Sequence, residues 1–353
     1  MSEHRIRVAL LGLGQSGRLF LDCAVNSGLY EIVAIADKDF EAASKTAAYC
    51  GAQACDDFRM AVSNYQLDAV IAAAPLQSCS EHIRSAMSRK INILRLMPPA
   101  RNYDELAGFA LAAQKENVHF AVASTQRRRK AFAALSLAIS HAQVESFSLL
   151  IAQCGLGFYH ETAQRDPKVA GGGIILYSAY AVIDQILQNF GLPSQVYAIT
   201  TSLAPDRQQR LYVTEDTAVI SLKYSDTFTA TVTASRSFAP NYVSIHAYGK
   251  DQAIAMVQDE LVLFNQANEI TDKSTFTDQE EDSVASILCD FAAMFRPEDP
   301  DKAQLKISTA QDNLDNMAII DAAYLSARTG MPESPQRIME LSQIAPNRYI
   351  NKA

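Results

Sequence analysis

Apolar runs alternate with segments of helical period through the first third of the chain. Ile6–Gly12 is almost entirely apolar and ends on a glycine, and Ser16–Ser27 then places its apolar residues on one helical face. This alternation predicts buried parallel strands with helices on both faces of the sheet. The other predicted strands are Glu31–Asp37, Asp68–Pro75, Ile91–Met97 and His119–Thr125, and the other predicted helices are Phe40–Cys50, Ser80–Arg89 and Tyr103–Asn117.

The pattern changes near residue 125. Several later segments alternate apolar and polar residues with little helix between them, which predicts a mainly antiparallel sheet with one exposed face. The strand candidates lie within 144–154, 195–204, 215–226, 228–238, 241–249 and 253–264, and the helical runs are Gly171–Phe190, Glu281–Phe295 and Ala310–Arg328. We therefore predict an α/β protein of two domains, a doubly wound parallel sheet in 1–123 and an α/β domain with a large open sheet in 124–353.

The composition is that of a globular protein, and it narrows the classes of partner. The 353 residues carry a net charge of −8 and are 48% hydrophobic, which argues against a nucleic-acid surface. The sequence contains no uncharged apolar stretch of about 18 residues, so we expect no membrane span. The six cysteines form no close cluster with histidine, so we expect no metal site and a reducing, cytoplasmic location.

One local exception to the acidic balance is the run QRRRK at Gln126–Lys130. A basic run of this length is typical of a solvated turn. It would also suit an anion contact inside a cleft. The sequence leaves both interpretations open.

Three glycines follow the first predicted strand at the spacing G-x-G-x-x-G. In this context Gly12 makes a tight turn, Gly14 lets the backbone approach a pyrophosphate, and Gly17 lets helix and strand pack closely. The free N–H groups at the start of the next helix attract a phosphate. Asp37 ends the next strand about 20 residues later, where its carboxylate can accept hydrogen bonds from ribose hydroxyls. These features predict a Rossmann domain with a bound nicotinamide dinucleotide.

The same carboxylate bears on which dinucleotide is bound. Asp37 would repel a 2′-phosphate, so the sequence favours NAD over NADP. Lys38 lies next to it and weakens that preference. NAD is the predicted cofactor, and NADP stays as the alternative.

Beyond the glycine loop, the chain resembles the glucose–fructose oxidoreductase, inositol dehydrogenase and MocA family from about residue 5 to 330. The motifs that carry the resemblance are GLGQSG, EIVAIAD, DAVIAAAP, the proline at Pro98, and DPKVAGGG with the Ile-Asp pair that ends at Asp184. The resemblance implies a Rossmann domain and a second domain whose open sheet makes homodimer or homotetramer contacts. It also implies hydride transfer on a sugar or polyol, with the proton handled by the lysine of a Glu-Lys-Pro motif and by an Asp-x-x-x-His pair.

This chain departs from the family pattern at the polar catalytic positions. Leu96 and Met97 precede Pro98 where the motif has glutamate and lysine, and Tyr177 and Ala181 replace the aspartate and the histidine. Neither a methionine nor an alanine can transfer a proton. A positioned proton donor contributes roughly 10²–10⁴ in rate, so the substitutions put turnover in question.

The glycine motif and the resemblance together assign the cofactor site. Ala74-Pro75 is similar to the Thr-Pro that borders the nicotinamide in the family. The predicted cofactor-binding residues are Gly12, Leu13, Gly14, Gln15, Ser16, Gly17, Asp37, Lys38, Ala74, Pro75, Met97 and Pro98.

Other residues could replace the missing catalytic groups. Tyr177 and Tyr180 are candidate proton donors, because nearby cations can lower the pKa of a phenol, and His160 is a third candidate. Each tyrosine could instead pack in the core with its hydroxyl bonded to the backbone. The predicted substrate-binding residues are Arg95, Met97, Arg127, Lys168, Ala181 and Asp184. Alternatively, Arg95 forms an ion pair at the sheet edge or against a helix, Asp184 packs against a helix or supports the site from behind, and Lys168 is solvated.

Two functions fit this pattern. The first is a divergent NAD(P)-dependent oxidoreductase that acts by hydride transfer on a polar small molecule such as a sugar, a polyol or a cyclic carbonyl compound. The second is a catalytically silent sensor or scaffold that keeps the cofactor pocket without turnover. Both hypotheses require a bound dinucleotide and a small-molecule ligand.

Overall fold

The computed structural model describes residues 5–142, 146–155, 170–203, 213–236, 241–295 and 307–342, which form two sheets flanked by helices. The helices are α1 (Gln15–Ser27), α2 (Phe40–Cys50), α3 (Phe58–Ser63), α4 (Leu76–Ser88), α5 (Tyr103–Glu116), α6 (Lys130–Ala142), α7 (Tyr180–Phe190), α8 (Glu280–Ala293), α9 (Leu314–Thr329) and α10 (Pro335–Leu341). None of them is long and apolar enough to cross a bilayer.

The strands divide between the two sheets along the chain, apart from the last. The first sheet contains β1 (Ile6–Leu11), β2 (Tyr30–Ala36), β3 (Gln53–Cys55), β4 (Ala69–Ala72), β5 (Asn92–Leu96), β6 (Phe120–Ala123) and β15 (Ser308–Thr309). The second sheet contains β7 (Phe147–Gly155), β8 (Gln195–Thr201), β9 (Thr217–Lys223), β10 (Thr229–Ser235), β11 (Val243–Gly249), β12 (Gln252–Val257), β13 (Glu260–Asn265) and β14 (Ile270–Thr275).

The first sheet has the order β15-β6-β5-β4-β1-β2-β3 and is parallel apart from β15. Its strands are apolar on both faces because helices cover both: Leu10 packs into the core that contains Phe20 of α1, and Leu11 into the core that contains Ile83 of α4. The predicted doubly wound Rossmann sheet is confirmed. The carboxyl ends of β1, β2, β4, β5 and β6 lie at one edge, where such folds bind their ligands.

The second sheet has the order β14-β13-β12-β11-β7-β10-β9-β8. Strands β7 and β10 are parallel neighbours, and the other neighbouring pairs are antiparallel. Burial alternates along the strands, so that Ile220 and Leu222 of β9 are buried while Val219 is 40% exposed. The predicted large, mainly antiparallel sheet with one open face is confirmed.

The end of the chain returns to the first sheet. Phe291 of α8 packs in the same core as Phe20 of α1, the Tyr30 hydroxyl donates to the Leu288 carbonyl at 2.6 Å, and β15 pairs with β6. The chain leaves the first sheet after Ala123, but α8 and β15 return to it from the later part of the chain. The single domain boundary at residue 123 stays a prediction.

Candidate functional site

Two of the three loop glycines are required by close packing. Gly12 has φ +98°, and a Cβ there would lie 2.6 Å from the Ala74 nitrogen. A Cβ at Gly17 would lie 2.2 Å from the Gly12 oxygen. A Cβ at Gly14, in contrast, would meet nothing within 4 Å. Packing does not explain Gly14, so the open space beside it is where a pyrophosphate fits.

The start of α1 offers free donors at the same place. Gly14 is the N-cap residue of this 13-residue helix, no side chain caps it, and its first turn contains no acidic residue. Gln15 and Ser16 are exposed. Exposed N–H groups and the positive end of the helix dipole form an anion site.

Asp37 follows β2 and faces the glycine loop. One carboxylate oxygen accepts from the Leu13 N–H at 2.6 Å and the other from the Asp39 N–H at 2.9 Å. A carboxylate has about four acceptor positions, so it can still accept bonds from ribose hydroxyls. The predicted loop residues Gly12 to Gly17 and Asp37 thus lie together, and the residues present fit a dinucleotide.

A hollow of about 700 Å³ lies beside Lys38, the residue that follows Asp37 in the chain. Lys38, Asp57, Gln77 and His82 are among the residues that line it. It lies at the carboxyl edge beyond the glycine loop, where the adenosine half of a dinucleotide would lie. Lys38 is exposed and forms its rim.

Arg95 has a structural role in place of the predicted substrate contact. It is 3% exposed, and its Nη1 donates to the carbonyls of Ala72 and Ala74 at 2.6 and 2.8 Å. These bonds hold the loop that follows β4, against which Gly12 packs. Pro75 on this loop is exposed.

The Leu96-Met97-Pro98 segment contains no ionisable group. Leu96 and Pro98 are buried, Met97 is half-buried against the core, and the Met97–Pro98 peptide is cis. A nearby cation is Arg101, whose guanidinium pairs with Glu105 at 2.8 Å. Burial disfavours the charged form of Glu105, but the hydrogen bonds from Arg101 outweigh it and lower the Glu105 pKa.

A cavity of about 470 Å³ joins the two domains. Its wall includes the start of α1, the loop after β6, the end of β7 and the start of α8. Gln15, Ser16, Tyr177 and Ala181 of this wall are predicted from the sequence, whereas no local motif marks Thr125, Cys154 or Tyr242. The cavity starts at Gln15 and Ser16, at the anion site of α1, so a ligand in it would lie beside the cofactor.

Tyr177 and Ala181 line the cavity, as the family pattern suggests. Tyr177 lies in a π-helical turn, Ile175–Ala179, that leads directly into α7. It is half-buried, and its hydroxyl donates to the Ala170 carbonyl at 3.1 Å. Turns of this kind are frequent at functional sites.

The prediction that Tyr180 is a proton donor is wrong, because its side chain points away from the cavity. It is 1% exposed, and its hydroxyl donates to Asn313 Oδ1 at 2.8 Å. Burial and the neighbouring Asp184 raise the pKa of Tyr180 far above its ordinary value. A buried phenol with this partner cannot exchange a proton with a ligand in the cavity.

Arg127 and Asp184 bind each other rather than a substrate. Arg127 donates to the two carboxylate oxygens at 2.7 and 2.5 Å, and Gln188 donates to the same carboxylate at 3.0 Å. Asp184 is 1% exposed, and neither partner lines the cavity. Burial opposes the charged form of Arg127, but Asp184 outweighs it, and the Arg127 pKa is raised.

The rest of the basic run is paired in the same way. Arg128 binds Asp290, Arg129 binds Asp259, and Lys130 binds Asp278. The four consecutive cations thus contact four carboxylates from different parts of the fold. The run is neither a solvated turn nor a free anion site, because ion pairs connect it to the second domain and to α8.

Two predicted site residues, His160 and Lys168, lie outside the described residues. Within the described ranges, no three His, Cys, Asp or Glu side chains could together hold a metal ion. Among the cavity residues, Cys154 is a neutral thiol, since burial raises its pKa to about 11. Tyr177, Ser178 and Tyr242 supply hydroxyl groups.

Two family models match the chain. An oxidoreductase family model described as an NAD-binding Rossmann fold matches residues 6–124, and the Gfo/Idh/MocA C-terminal domain model matches residues 147–255. The first range contains β1 to β6 of the first sheet, and the second runs from β7 into β12 of the second sheet. No curated protein sequence matches the chain.

Solved structures share the fold over nearly the whole chain. A levoglucosan dehydrogenase in complex with NADH and levoglucosan has a TM-score of 0.79 at 18% identity, covering 94% of this chain and 99% of its own. An Agrobacterium radiobacter oxidoreductase in complex with NAD+, L-tartaric acid and magnesium has 0.78 at 18%, covering 95% and 100%. The WlbA dehydrogenase of Bordetella pertussis, in complex with NADH and UDP-GlcNAcA, has 0.75 at 18%, covering 94% and 99%. Identities this low establish the fold alone.

Proposed function

The chain belongs to the Gfo/Idh/MocA oxidoreductase family, and from that premise we propose that it transfers a hydride between NAD and an uncharged polyhydroxylated substrate, such as a sugar or a cyclic polyol. The observation that carries the proposal is the continuity of one cavity. It begins at Gln15 and Ser16 of the phosphate site and reaches Tyr177 and Ala181 in the second domain. A cofactor and a substrate would therefore meet in a single cleft.

The proposed binding of the cofactor uses backbone and side-chain groups that the structure already places together. The α1 amides would hold the pyrophosphate, and Asp37 would bind the ribose hydroxyls. Asp37 would repel a 2′-phosphate, whereas exposed Lys38 would attract one. We expect NAD to bind more tightly, because the carboxylate is fixed beside the loop by two hydrogen bonds.

An uncharged substrate fits the electrostatics of the wall. Among the described residues that line the cavity, the one cation is Arg129, and Asp259 already neutralises it. Of the two acidic residues of the wall, Asp278 is paired with Lys130, and Glu280 adds a negative charge that disfavours an anionic substrate. Recognition of a carboxylate or phosphate normally uses an unpaired arginine or lysine. A substrate rich in hydroxyl groups would instead bond to Thr125 and Asn241.

The proton is assigned to Tyr177. Oxidation of a CH–OH group releases a hydride, which NAD accepts when it is bound, and a proton from the oxygen. In the reverse direction the Tyr177 hydroxyl can give its proton to the carbonyl oxygen after turning from the Ala170 carbonyl. The Tyr177 side chain lies in the cavity wall one helical turn before Ala181, which replaces the usual histidine.

A sensor remains the second candidate function. Leu96, Met97 and Ala181 occupy the usual polar positions, and none of the three can move a proton. Such a site would keep the cofactor loop intact and still show no turnover. The two candidates differ in a measurable way, since both predict NADH binding and the enzyme alone predicts substrate-dependent reduction of NAD.

Turnover and binding are therefore measured separately. Fluorescence titration of NADH should give a dissociation constant in the micromolar range, and absorbance at 340 nm should rise when levoglucosan or a neutral polyol is added with NAD. L-tartrate and glucuronate serve as anionic controls, and we expect at least tenfold lower kcat/KM for them. Binding without turnover on either set would support the sensor, and better turnover of the acids would exclude the neutral-substrate proposal.

We also propose that the open sheet face forms a homodimer or homotetramer. Ile199, Val219 and Tyr248 are 55%, 40% and 38% exposed on that face. Ile199 and Val219 are cross-strand partners, so they form an exposed apolar pair whose contact with water is unfavourable. Light scattering after gel filtration should give a dimer or larger. Lysine at both Ile199 and Val219 should give a monomer that still binds NADH.

A further inference from the structure

One acidic residue, Glu215, accepts hydrogen bonds from the amides at the start of the π-helical turn that carries Tyr177. The Glu215 carboxylate accepts from the Gly173 N–H, at 3.0 Å to each oxygen, and from the Ile175 N–H at 2.9 Å. Its main-chain carbonyl accepts from the Ile174 N–H at 3.1 Å. One residue thus satisfies three successive amides that a helix start would otherwise leave unpaired.

Tyr324 of α9 holds this carboxylate from the other side. Its hydroxyl donates to Glu215 Oε1 at 2.8 Å and accepts from the Gly173 N–H at 3.1 Å. Burial and the carboxylate raise the Tyr324 pKa far above its ordinary value, so the phenol stays protonated and keeps donating. Neither Glu215 nor Tyr324 lines the cavity.

Two of the three consecutive glycines, Gly172 and Gly173, make room for Tyr324 and Glu215. A Cβ at Gly172 would lie 2.0 Å from the Tyr324 hydroxyl oxygen, and a Cβ at Gly173 would lie 2.3 Å from the Glu215 carbonyl oxygen. Side chains at these positions would displace the carboxylate or the phenol. The glycines therefore serve the start of the π turn and not the cofactor.

We propose that Glu215 is a positioning residue for the cleft. By holding the start of the π turn, Glu215 fixes the positions at which Tyr177 and Ser178 face the ligand. The Tyr177 N–H donates to the Gly173 carbonyl at 3.0 Å, so a shift at Gly173 reaches Tyr177 through one hydrogen bond. A π turn is rare and occurs mostly as a single turn within a helix. The first amides of this turn are held by the Glu215 carboxylate. The inference rests on the proposed function, but its structural consequence can be measured without turnover.

The main test compares three variants. Glu215→Gln keeps the size of the side chain but puts an N–H₂ donor where three donors converge, and Tyr324→Phe removes one donor to the carboxylate. Tyr30→Phe is the matched control, because Tyr30 is a buried tyrosine whose hydroxyl also donates to one partner and which does not line the cavity. Each variant is assayed for thermal midpoint, NADH affinity, and KM and kcat on levoglucosan.

A readout that is independent of activity uses the absence of tryptophan from the sequence. Tyr177→Trp gives the chain a single tryptophan at the cleft, and its emission reports the position of the π turn. Hydrogen exchange of the Gly173 and Ile175 amides reports the bonds to the Glu215 carboxylate directly.

We expect Glu215→Gln to lower kcat/KM at least tenfold, to leave NADH affinity within about twofold, and to speed exchange of these amides more than exchange elsewhere. When Glu215→Gln is combined with Tyr177→Trp, the tryptophan emission should shift to the red. Tyr30→Phe should lower the thermal midpoint without these local effects. If Glu215→Gln only lowers global stability, with exchange rising evenly along the chain, the positioning role is excluded. If wild type turns over no probe, the proposed function fails, whereas exchange and emission still decide this inference.

Discussion

Arg127 and Asp184 form a two-pronged ion pair between the turn after β6 and helix α7, and Asp184 is 1% exposed. Removing one partner leaves the other charge buried and unpaired. We expect Asp184→Ala to lower the free energy of unfolding by about 3–5 kcal/mol, measured by urea denaturation. The control is Glu41→Gln, which breaks an exposed pair with Lys45 and should cost about 0.5 kcal/mol or less. Equal losses would show that the buried pair contributes no more than a surface one.

Two variants of the glycine loop test close packing and phosphate binding separately. Gly17→Ala would place a Cβ 2.2 Å from a backbone oxygen, so we expect about 1–3 kcal/mol of destabilisation. Gly14→Ala has open space and costs about 1 kcal/mol or less, but the added methyl group occupies the phosphate site. Its NADH affinity should fall at least tenfold. Retained affinity in Gly14→Ala would place the pyrophosphate elsewhere.

Asp37 should set the preference between the two dinucleotides. Asp37→Asn keeps an acceptor for the Leu13 N–H but removes the charge that repels a 2′-phosphate. We expect the ratio of NADPH to NADH affinity to rise about tenfold, which is about 1.4 kcal/mol. Asp39→Asn, two residues away, is the control. An unchanged ratio in Asp37→Asn would mean that this carboxylate does not face the ribose.

The two candidate tyrosines should now behave differently. Tyr177→Phe should lower kcat by about 10² with NADH affinity unchanged, because it removes the proposed proton donor. Tyr180→Phe should leave kcat within about threefold and cost about 1–3 kcal/mol of stability, since Asn313 loses its buried partner. Steady-state kinetics and urea denaturation on both variants test this. Equal kcat values in the two variants would remove the tyrosine proposal.

Local patterns made much of the fold and cofactor site predictable. Strand β1, the loop glycines and Asp37 lie within about 30 residues, and their spacing between a predicted strand and a predicted helix indicates a phosphate-binding turn. All nine elements predicted between residues 6 and 125 occur in the structure. Strand β3 and helix α3 were missed, because three and six residues carry too little periodicity.

The part of the site in the second domain depends on pairs of residues that are distant in sequence but bonded in the structure. Glu215 and Tyr324 are 109 positions apart, and Arg127 and Asp184 are 57 apart, so no local motif marks them. Helical spacing correctly placed Tyr177 and Ala181 on one face. It could not say whether that face, or the neighbouring one with Tyr180, meets the core. Strand β14 was missed because its residues are mostly exposed and show no buried face.

Asp321 should make stability depend on pH. Burial, and secondarily the nearby Asp104, raise its pKa to about 7, although it accepts a hydrogen bond from the Tyr103 N–H at 2.9 Å. Between pH 4 and 7 the native state therefore keeps a proton that the unfolded chain has lost. The free energy of unfolding falls as pH rises through this range, by about 2–4 kcal/mol from this group.

Asp321→Asn imitates the protonated form and should remove this slope. Urea denaturation at pH 5 and pH 8 should show that the variant loses less stability than wild type over the interval. Asp226→Asn is the control, since Asp226 is 94% exposed and should leave the difference unchanged. Parallel pH profiles for wild type and Asp321→Asn would mean that Asp321 is ionised in the native state at pH 5, with water or Arg328 stabilising its charge despite the burial.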